Sequence, residues 1–309
     1  MAARTAGVIG LGSMGMGAAR SLLRAGFSTF ACDVRREALD SFGAAAGVAC
    51  ATPAEVGAKA GVVAIFVVNA EQAEEVLFGA NGAAAAMKPG GAVLFCVTAA
   101  PDYAERLGGR LAERGILLLD APVSGGAAKA AAGEMTIMAS GAPAAFAACE
   151  EALAAIASKV YRLGDRPGQG SRIKVVNQLL AGVHIAAMAE AMALGIRAGC
   201  DPDVVYEVIS NSAGSSWMFQ NRGPHILAGD YTPLSAVSIF VKDLGIVLDT
   251  ARKLTFPLPL TAAAHQMFLA TSAHGHGGED DSAVIKMFQA LTGIELPGGK
   301  PSSPRGKAP

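Results

Sequence analysis

The stretch Thr5-Ala-Gly-Val-Ile-Gly10-Leu-Gly12-Ser-Met-Gly15 decides the fold of the first half of the chain. Its apolar residues up to Ile9 are typical of a buried strand, and the segment Met14–Ala25 that follows is typical of a helix that ends before Gly26. The glycines between strand and helix have the Gly-x-Gly-x-x-Gly spacing of a turn that binds a dinucleotide. The sequence therefore predicts a strand–turn–helix unit that carries a nucleotide cofactor.

Each glycine of this turn has its own physical role. Gly10 permits a tight turn, Gly12 lets the backbone approach the pyrophosphate, and Gly15 allows close packing of helix on strand. Free backbone N–H groups and the helix dipole then favour a phosphate at the start of the helix. We assign the intervening residues Leu11 and Met14 to the same cofactor site.

An acidic residue closes the second predicted strand, Thr29–Cys32. Asp33 lies 18 residues after Gly15, where a carboxylate can accept hydrogen bonds from the ribose hydroxyls and repel a 2′-phosphate. This position predicts NAD as the cofactor. Arg35 and Arg36 follow at once, and they could instead attract the extra phosphate of NADP.

Short apolar runs alternate with helix-like segments through the first half of the chain, which indicates a parallel sheet covered on both faces. The further runs are Val62–Val68, Ala92–Val97, Ile116–Leu119 and Met135–Ala139. Thr52-Pro53-Ala54-Glu55 is a capping box that opens one of the intervening helices. We predict an α/β fold, a Rossmann-type doubly wound sheet, over residues 1–166.

From about Gly168 the pattern becomes helical. Ser171–Ala198 predicts one long helix, and Asp201-Pro202 is a typical helix start. No strand alternation returns after that. We predict a long connecting helix and an all-α domain over residues 167–296, for substrate binding and oligomerisation, followed by a disordered Pro/Gly/Ser-rich tail over residues 297–309.

The composition excludes several classes of protein. A net charge of −1, from 25 Lys and Arg against 26 Asp and Glu, gives no basic face for nucleic acid. A membrane helix needs roughly 18 apolar residues in a row, and His184 and Glu190 interrupt the longest run, so we expect no membrane. The five scattered cysteines favour reduced, buried thiols in the cytoplasm. His274, His276 and Glu279 lack the spacing of a common metal site, and we assign no metal.

Four motifs in the same order, over residues 7 to about 295, resemble the β-hydroxyacid dehydrogenases. They are the glycine turn with its Ser-Met-Gly, Asp120-Ala-Pro-Val-Ser-Gly-Gly126, Lys174-Val-Val-Asn177-Gln178 and Lys242-Asp243-Leu244. That family includes 3-hydroxyisobutyrate dehydrogenase and tartronate semialdehyde reductase. The resemblance implies NAD-dependent oxidation of a small hydroxy acid, bound between the two domains.

Two segments of the second half narrow this resemblance. Ser215-Ser-Trp-Met-Phe-Gln-Asn-Arg222 and Ala228-Gly-Asp-Tyr-Thr-Pro-Leu-Ser235 look most like the L-threonate dehydrogenases within the family. They imply L-threonate as substrate, oxidised at C2 to 2-oxo-tetronate. The sole tryptophan, Trp217, could lie over the active site or pack within the helical domain, and we favour packing.

The resemblance also implies a role for Lys174 as general acid/base, because a hydride leaves a carbinol carbon only if the hydroxyl proton is removed in concert. A lysine has an ordinary pKa of about 10.4, so this role needs burial or a neighbouring cation. Lys242 could be that cation, although in the family its equivalent is associated mainly with the cofactor and substrate end of the cleft. Asn177 and Gln178 share a helical face with Lys174, and either could orient it or bind a substrate hydroxyl.

Further site residues follow predicted strands. Ser124, Gly125 and Gly126 form a loop whose hydroxyl and backbone N–H groups suit a substrate carboxylate. Asn69 and Thr98 each come just after a strand, at the edge where open α/β sheets bind ligands. We expect both to contact the cofactor.

The sequence leaves several alternative functions open. The enzyme could be a 3-hydroxyisobutyrate dehydrogenase, or a reductase of tartronate semialdehyde or succinic semialdehyde. A non-catalytic nucleotide-binding module is the alternative from a different class, and the presence of Lys174 disfavours it. The long helix and the apolar second domain suggest a homodimer or homotetramer.

Overall fold

The computed structural model describes residues 4–298 of the chain. The first two residues of the predicted tail, Pro297 and Gly298, form a turn. The remainder of that predicted tail lies outside the described residues.

Six parallel strands form the larger sheet. They are β1 (Thr5–Ile9), β2 (Ser28–Cys32), β3 (Val48–Ala49), β4 (Val62–Ile65), β5 (Ala92–Phe95) and β6 (Leu117–Asp120). Their order across the sheet is β3-β2-β1-β4-β5-β6, the order of a dinucleotide-binding doubly wound fold. The predicted fold class is therefore confirmed.

Helices cover both faces of this sheet. They include α1 (Gly15–Arg24), α2 (Arg36–Gly43), α3 (Pro53–Lys59), α4 (Ala70–Phe78), α5 (Ala83–Ala86) and α6 (Pro101–Ala112). Neighbouring strand residues point to opposite faces, so Val8 and Leu94 belong to one hydrophobic cluster, and Ile9 and Phe95 belong to the other. The predicted capping box is confirmed, because Thr52 accepts a hydrogen bond from the Glu55 N–H.

A second, three-stranded sheet follows, and the prediction that Met135–Ala139 extends the first sheet was wrong. It consists of β7 (Val123–Ser124), β8 (Met135–Ala139) and β9 (Ala157–Arg162), with α7 (Gly126–Ala132) and α8 (Pro143–Ile156) between them. β7 is antiparallel to β8, and β9 is parallel to it. The sequence did not indicate β9, because its charged and polar residues are largely exposed and give no apolar run.

The rest of the described chain is helical. It comprises α9 (Gln169–Arg197), α10 (Pro202–Ser210), α11 (Trp217–Ala228), α12 (Val237–Lys253), α13 (Pro259–Thr271), a π-helical turn (Ser272–His276), a 3-10 turn (Asp281–Ile285) and α14 (Lys286–Thr292). Asp201 caps α10 as predicted, accepting hydrogen bonds from the N–H groups of Asp203 and Val204. The chain divides into two compact units after Val176, inside α9.

Among the described helices, α9 alone is long and apolar enough to cross a membrane by length and composition. A core helix of a globular domain passes the same test. Two observations favour that reading of α9: Lys174 and Gln178 are both buried on it, and a Cβ at Gly182 would lie 2.7 Å from the Leu244 side chain. One face of α9 is therefore packed inside the protein.

Two expectations about single residues were wrong. Trp217 is 58% exposed; it is the first residue of α11, and the buried residues of that helix start only at Phe219. All five cysteines are unpaired and four are buried, but Cys200 is exposed. It lies in the short connection between α9 and α10.

Candidate functional site

The glycine turn after β1 leaves no room for side chains at two of its positions. Gly10 has a φ of +94°, and a Cβ there would lie 2.8 Å from the Phe66 carbonyl group. A Cβ at Gly15 would lie 1.9 Å from the Gly10 carbonyl oxygen. Only glycine fits either position, so α1 can start directly against the end of β1.

The middle glycine is different, because it borders open space. A Cβ at Gly12 would meet nothing within 4 Å, whereas the neighbouring Leu11 side chain is buried. Met14 is half-buried and packs against the core beneath. This is the open backbone cradle that a pyrophosphate requires at the start of a helix, so the residues present fit a dinucleotide.

Asp33 lies beside this cradle, at the carboxyl end of β2. Its Oδ2 accepts a hydrogen bond from the Leu11 N–H at 2.6 Å, and its Oδ1 accepts one from the Arg35 N–H at 2.8 Å. The Arg35 guanidinium also contacts the carboxylate, at 3.2 Å, and donates to the Leu11 carbonyl oxygen. The sequence had not indicated this pairing of Asp33 with Arg35.

These contacts decide the charge of Asp33. Burial alone would raise the pKa of its carboxyl group, but the hydrogen bonds from Arg35 and Leu11 and the charge of Arg35 outweigh burial and lower that pKa. The carboxylate is therefore charged throughout the neutral range. It remains an acceptor for ribose hydroxyls and a repulsive group for a 2′-phosphate.

Asn69 and Thr98 lie at the same edge of the sheet. Asn69 follows β4 and caps α4, since its Oδ1 accepts a hydrogen bond from the Gln72 N–H at 2.8 Å. Thr98 lies between β5 and α6 and is half-buried. The strand order places the ends of β2, β1, β4, β5 and β6 side by side along this edge, where ligands bind in such sheets.

Lys174 is joined to the loop predicted to bind the substrate carboxylate. The lysine side chain is buried, with 7% of its surface exposed. Its Nζ donates a hydrogen bond to the Val123 carbonyl oxygen at 2.8 Å, directly before Ser124. Gly125 and Gly126 both have positive φ, +129° and +73°, so the structure brings Lys174 and this loop together.

The other predicted site residues form a separate polar chain in the helical unit. Asn177 Nδ2 donates to Gln178 Oε1 at 2.8 Å, and Gln178 Nε2 donates to Asp243 Oδ2. Lys242 Nζ lies 2.8 Å from the other oxygen of Asp243. Asp243 is 2% exposed and connects Gln178 to Lys242. Asp243 belongs to the Lys242-Asp243-Leu244 motif, but its sequence position predicted no role for it.

Polar contacts occupy the histidine-containing segment near the end of the described chain. His276 Nδ1 lies 3.0 Å from Glu279, whose other oxygen accepts a hydrogen bond from Lys286. Within residues 4–298, no group of three or more His, Cys, Asp or Glu side chains could hold a metal ion.

Two family models match successive parts of the chain. The NAD-binding domain of 6-phosphogluconate dehydrogenase matches residues 5–164. The NAD-binding domain of NADP-dependent 3-hydroxyisobutyrate dehydrogenase matches residues 168–288. Together they cover both the sheet and the helical region described above.

Full-length relatives and a solved structure are also similar. L-threonate dehydrogenase of Cupriavidus necator is 67% identical over 295 residues, 96% of this chain and 98% of that protein. Mitochondrial 3-hydroxyisobutyrate dehydrogenase of Mus musculus is 32% identical over 94% of this chain and 88% of that protein. A crystal structure described as 3-hydroxyisobutyrate dehydrogenase from Salmonella typhimurium has a TM-score of 0.88 and 53% identity, covering 92% of this chain and 99% of that chain.

Proposed function

Because the chain belongs to the NAD-binding 3-hydroxyisobutyrate dehydrogenase family of hydroxyacid dehydrogenases, we propose that it oxidises L-threonate at C2 to 2-oxo-tetronate. The observation that carries this proposal is the buried Lys174, hydrogen-bonded at the entrance of the Ser124–Gly126 loop. The high identity to the Cupriavidus necator L-threonate dehydrogenase supports the substrate.

In the proposed reaction, Lys174 moves the proton of the C2 hydroxyl. NAD, when bound, supplies the acceptor for the hydrogen and electron pair that leave C2. Lys174 Nζ takes the hydroxyl proton as the carbonyl group forms, so the charge that would otherwise build up on the oxygen is avoided. The hydrogen bond to the Val123 carbonyl oxygen holds the amine beside the Ser124–Gly126 loop, where the substrate is proposed to bind.

The loop after Val123 binds the substrate carboxylate in this proposal. Ser124 offers a hydroxyl, and the positive φ values of Gly125 and Gly126 turn successive backbone N–H groups of the loop in a way that suits an anion. Asn177 and Gln178 are proposed to bind or orient a substrate hydroxyl, since Asp243 holds the Gln178 amide in one orientation.

We propose NAD as the preferred dinucleotide. The charged Asp33 carboxylate occupies the ribose position, and Arg35, which could have attracted a 2′-phosphate, is paired with Asp33. Arg36 pairs with Asp40 at 3.0 Å. The proposed cofactor contacts are Gly10, Leu11, Gly12, Met14, Gly15, Asp33, Asn69, Thr98 and Lys242.

The test measures NADH formation with L-threonate, D-threonate, L-erythronate and 3-hydroxyisobutyrate. We expect the highest kcat/KM with L-threonate. Lys174→Ala should abolish most turnover and leave the Kd for NAD unchanged, and Lys88→Ala, an exposed lysine, should leave both unchanged. NAD binding without turnover of any hydroxy acid would instead indicate a non-catalytic nucleotide-binding module.

A second candidate function is oxidation of 3-hydroxyisobutyrate. The Salmonella typhimurium structure, at 53% identity, carries that description. The two functions differ in the position of the reacting hydroxyl, at C2 of L-threonate and at C3 of 3-hydroxyisobutyrate. The same assay therefore separates them, and a higher kcat/KM for 3-hydroxyisobutyrate would replace the first proposal by the second.

We also propose that the protein is a cytoplasmic homodimer or homotetramer. Ile173, Val176, Leu180 and Leu194 are exposed on α9, and their spacing of three, four and fourteen residues places them on one side of the helix. We call these four residues the α9 stripe. An exposed apolar stripe of this kind is typical of a surface that binds another protein, and a second copy of the chain presents the same stripe.

A further inference from the structure

Asp120 is fully buried at the end of β6 and belongs to none of the roles proposed above. Its Oδ2 accepts hydrogen bonds from the Gly168 N–H at 2.8 Å and the Ser171 N–H at 2.9 Å. Its Oδ1 accepts one from the Ser171 hydroxyl at 2.7 Å. The carboxylate thus satisfies N–H groups at the start of α9 that have no partner inside the helix.

Ser140 completes this arrangement. Its hydroxyl donates to Asp120 Oδ2 at 3.2 Å and accepts a hydrogen bond from the Gly170 N–H at 2.9 Å. A Cβ at Gly170 would lie 2.2 Å from the Met138 carbonyl oxygen and 2.8 Å from that of Asp120. The first turn of α9 is therefore pressed against the ends of two strands, at a distance that only glycine permits.

Two hydrogen bonds therefore connect the β6–β7 segment to the start of α9. The first joins Asp120 to Ser171, and the second joins Val123 to Lys174. Residues 171 and 174 lie on the same face of α9, one turn apart. Residues 120 and 123 lie on either side of the two-residue connection between β6 and β7. The position of the Lys174 amine relative to the Ser124–Gly126 loop therefore depends on the hydrogen bonds between Asp120 and the start of α9.

We propose that Asp120 is a positioning residue for the reaction: it fixes the start of α9 and so sets where Lys174 Nζ lies relative to the substrate loop. It touches neither substrate nor cofactor in this proposal. The inference rests on the proposed role of Lys174 as acid/base. A displacement of about 1 Å at a reacting group can cost on the order of 100-fold in rate, so a residue that acts only through geometry can have a large effect.

The test compares Asp120→Ala, Asp120→Asn and Ser171→Ala. Asp120→Ala removes all the bonds to the carboxylate, and we expect kcat to fall by about 100-fold with an unchanged Kd for NAD. Asp120→Asn keeps an acceptor oxygen for the backbone N–H groups, and its amide can donate to Ser171, so it should recover most of the lost kcat. Ser171→Ala removes one bond and should give an intermediate loss even if Asp120→Ala fails to fold.

A readout without cofactor or substrate accompanies the kinetics. Trace acetylation of the free protein, followed by mass spectrometry of the peptides, gives the rate at which Lys174 reacts relative to the exposed Lys88. We expect this relative rate to rise in Asp120→Ala and to return toward the wild-type value in Asp120→Asn. Loosening of the amine from the Val123 carbonyl oxygen is the physical reason.

Asp201→Ala is the matched control. It also removes an aspartate that caps a helix, but α10 carries no proposed site residue, so the unfolding midpoint should fall while kcat and the Lys174 rate stay unchanged. The inference would be refuted if both Asp120→Ala and Ser171→Ala kept the wild-type kcat and the wild-type rate of Lys174 acetylation. A wild-type turnover that survives Lys174→Ala would refute the proposed function instead, so the two failures are distinguishable.

Discussion

Asp33 combines two roles that a single substitution separates. It is the proposed ribose-binding carboxylate, and it also holds the Leu11 N–H and the Arg35 side chain. Asp33→Ala should raise the KM for NAD by about 10- to 100-fold, as expected for a lost hydrogen bond to a charged group. The KM for NADP should rise less or fall, because the substitution also frees Arg35 to contact a 2′-phosphate. Steady-state kinetics with both cofactors provide the measurement.

Asp40→Ala is the control for this substitution, since Asp40 is exposed and pairs only across the surface with Arg36. Its ratio of kcat/KM for NAD over NADP should match the wild type. A ratio that is equally unchanged in Asp33→Ala would show that Asp33 does not select the cofactor.

The lowered pKa of Asp33 also predicts the direction of a pH effect. A carboxyl group whose pKa is lower in the folded protein stabilises the fold while it is ionised, and this stabilisation is lost as the pH falls through the folded pKa. Between pH 7 and pH 3, the wild type should therefore lose more stability than Asp33→Asn. Urea denaturation at several pH values measures the difference, and parallel losses would contradict the expectation.

The spacing after the glycine turn was enough to identify Asp33 from the sequence, because the length of a β-α-β unit fixes where the second strand ends. Its partner Arg35 was interpreted as a possible attractor of phosphate. That reading could not foresee the pairing, since the direction of a long side chain depends on contacts with the Leu11 backbone, which sequence spacing does not reveal.

Among the secondary structure elements, α9 depends most on one close approach. Gly170→Ala would place a Cβ 2.2 Å from the Met138 carbonyl oxygen, so the start of α9 must move away from the strands. We expect a lower unfolding midpoint and a lower kcat, the second because Lys174 moves with the helix. Urea denaturation and the NADH assay measure the two effects.

Gly109→Ala is the matched substitution. Gly109 is also a helical glycine, in α6, but a Cβ there would meet nothing within 4 Å. Alanine should therefore stabilise the protein by about 0.5–1 kcal/mol, through its higher helix propensity. Equal effects of the two substitutions would mean that the packing at Gly170 has no consequence for stability.

A buried ion pair connects α11 to the 3-10 turn of the helical unit. Arg222 contacts Asp281 through two nitrogens, at 2.5 and 3.1 Å, and both side chains are buried. Asp281→Ala would leave the guanidinium without this partner, which should cost about 3 kcal/mol or more of the free energy of unfolding. Asp249→Ala, at the exposed pair with Arg252, should cost less than about 1 kcal/mol. Equal costs in urea denaturation would contradict the argument.

Most elements could be predicted from sequence because hydrophobic periodicity and caps are local signals. Five strands of the larger sheet, the capping box at Thr52 and the start of α10 all rest on such signals. The sixth strand, β3, was not predicted, because it has only two residues and both are exposed. The cap of α9 could not be located, because its donor groups bind a carboxylate 51 residues earlier in the chain. The sequence offers only indirect evidence for this distant cap. No Ser, Thr, Asn or Asp stands directly before Gln169, so the helix has no capping side chain of its own at that position.

For the whole molecule, the α9 stripe predicts the state of association. Leu180→Glu combined with Leu194→Glu would place charges on the stripe, and the proposed homodimer or homotetramer should dissociate, because burying an unpaired carboxylate is costly. Sedimentation velocity measures the mass. Leu254→Glu, at an exposed apolar residue beyond the end of α12, should leave it unchanged. A monomeric wild type would refute the proposed assembly itself.

The buried carboxylate at the end of β6 also bears on the order in which the chain acquires its structure. A ribosome releases β6 before α9, so the carboxylate that binds the start of the helix is already synthesised when Gly168 and Ser171 emerge. Starting a helix is the costly step, and extending it is cheap, so growth from this anchored end toward Arg197 is the favoured route. A circular permutant beginning at Gly168 would reverse that order of synthesis, and we expect a smaller folded fraction during cell-free translation than for the natural chain.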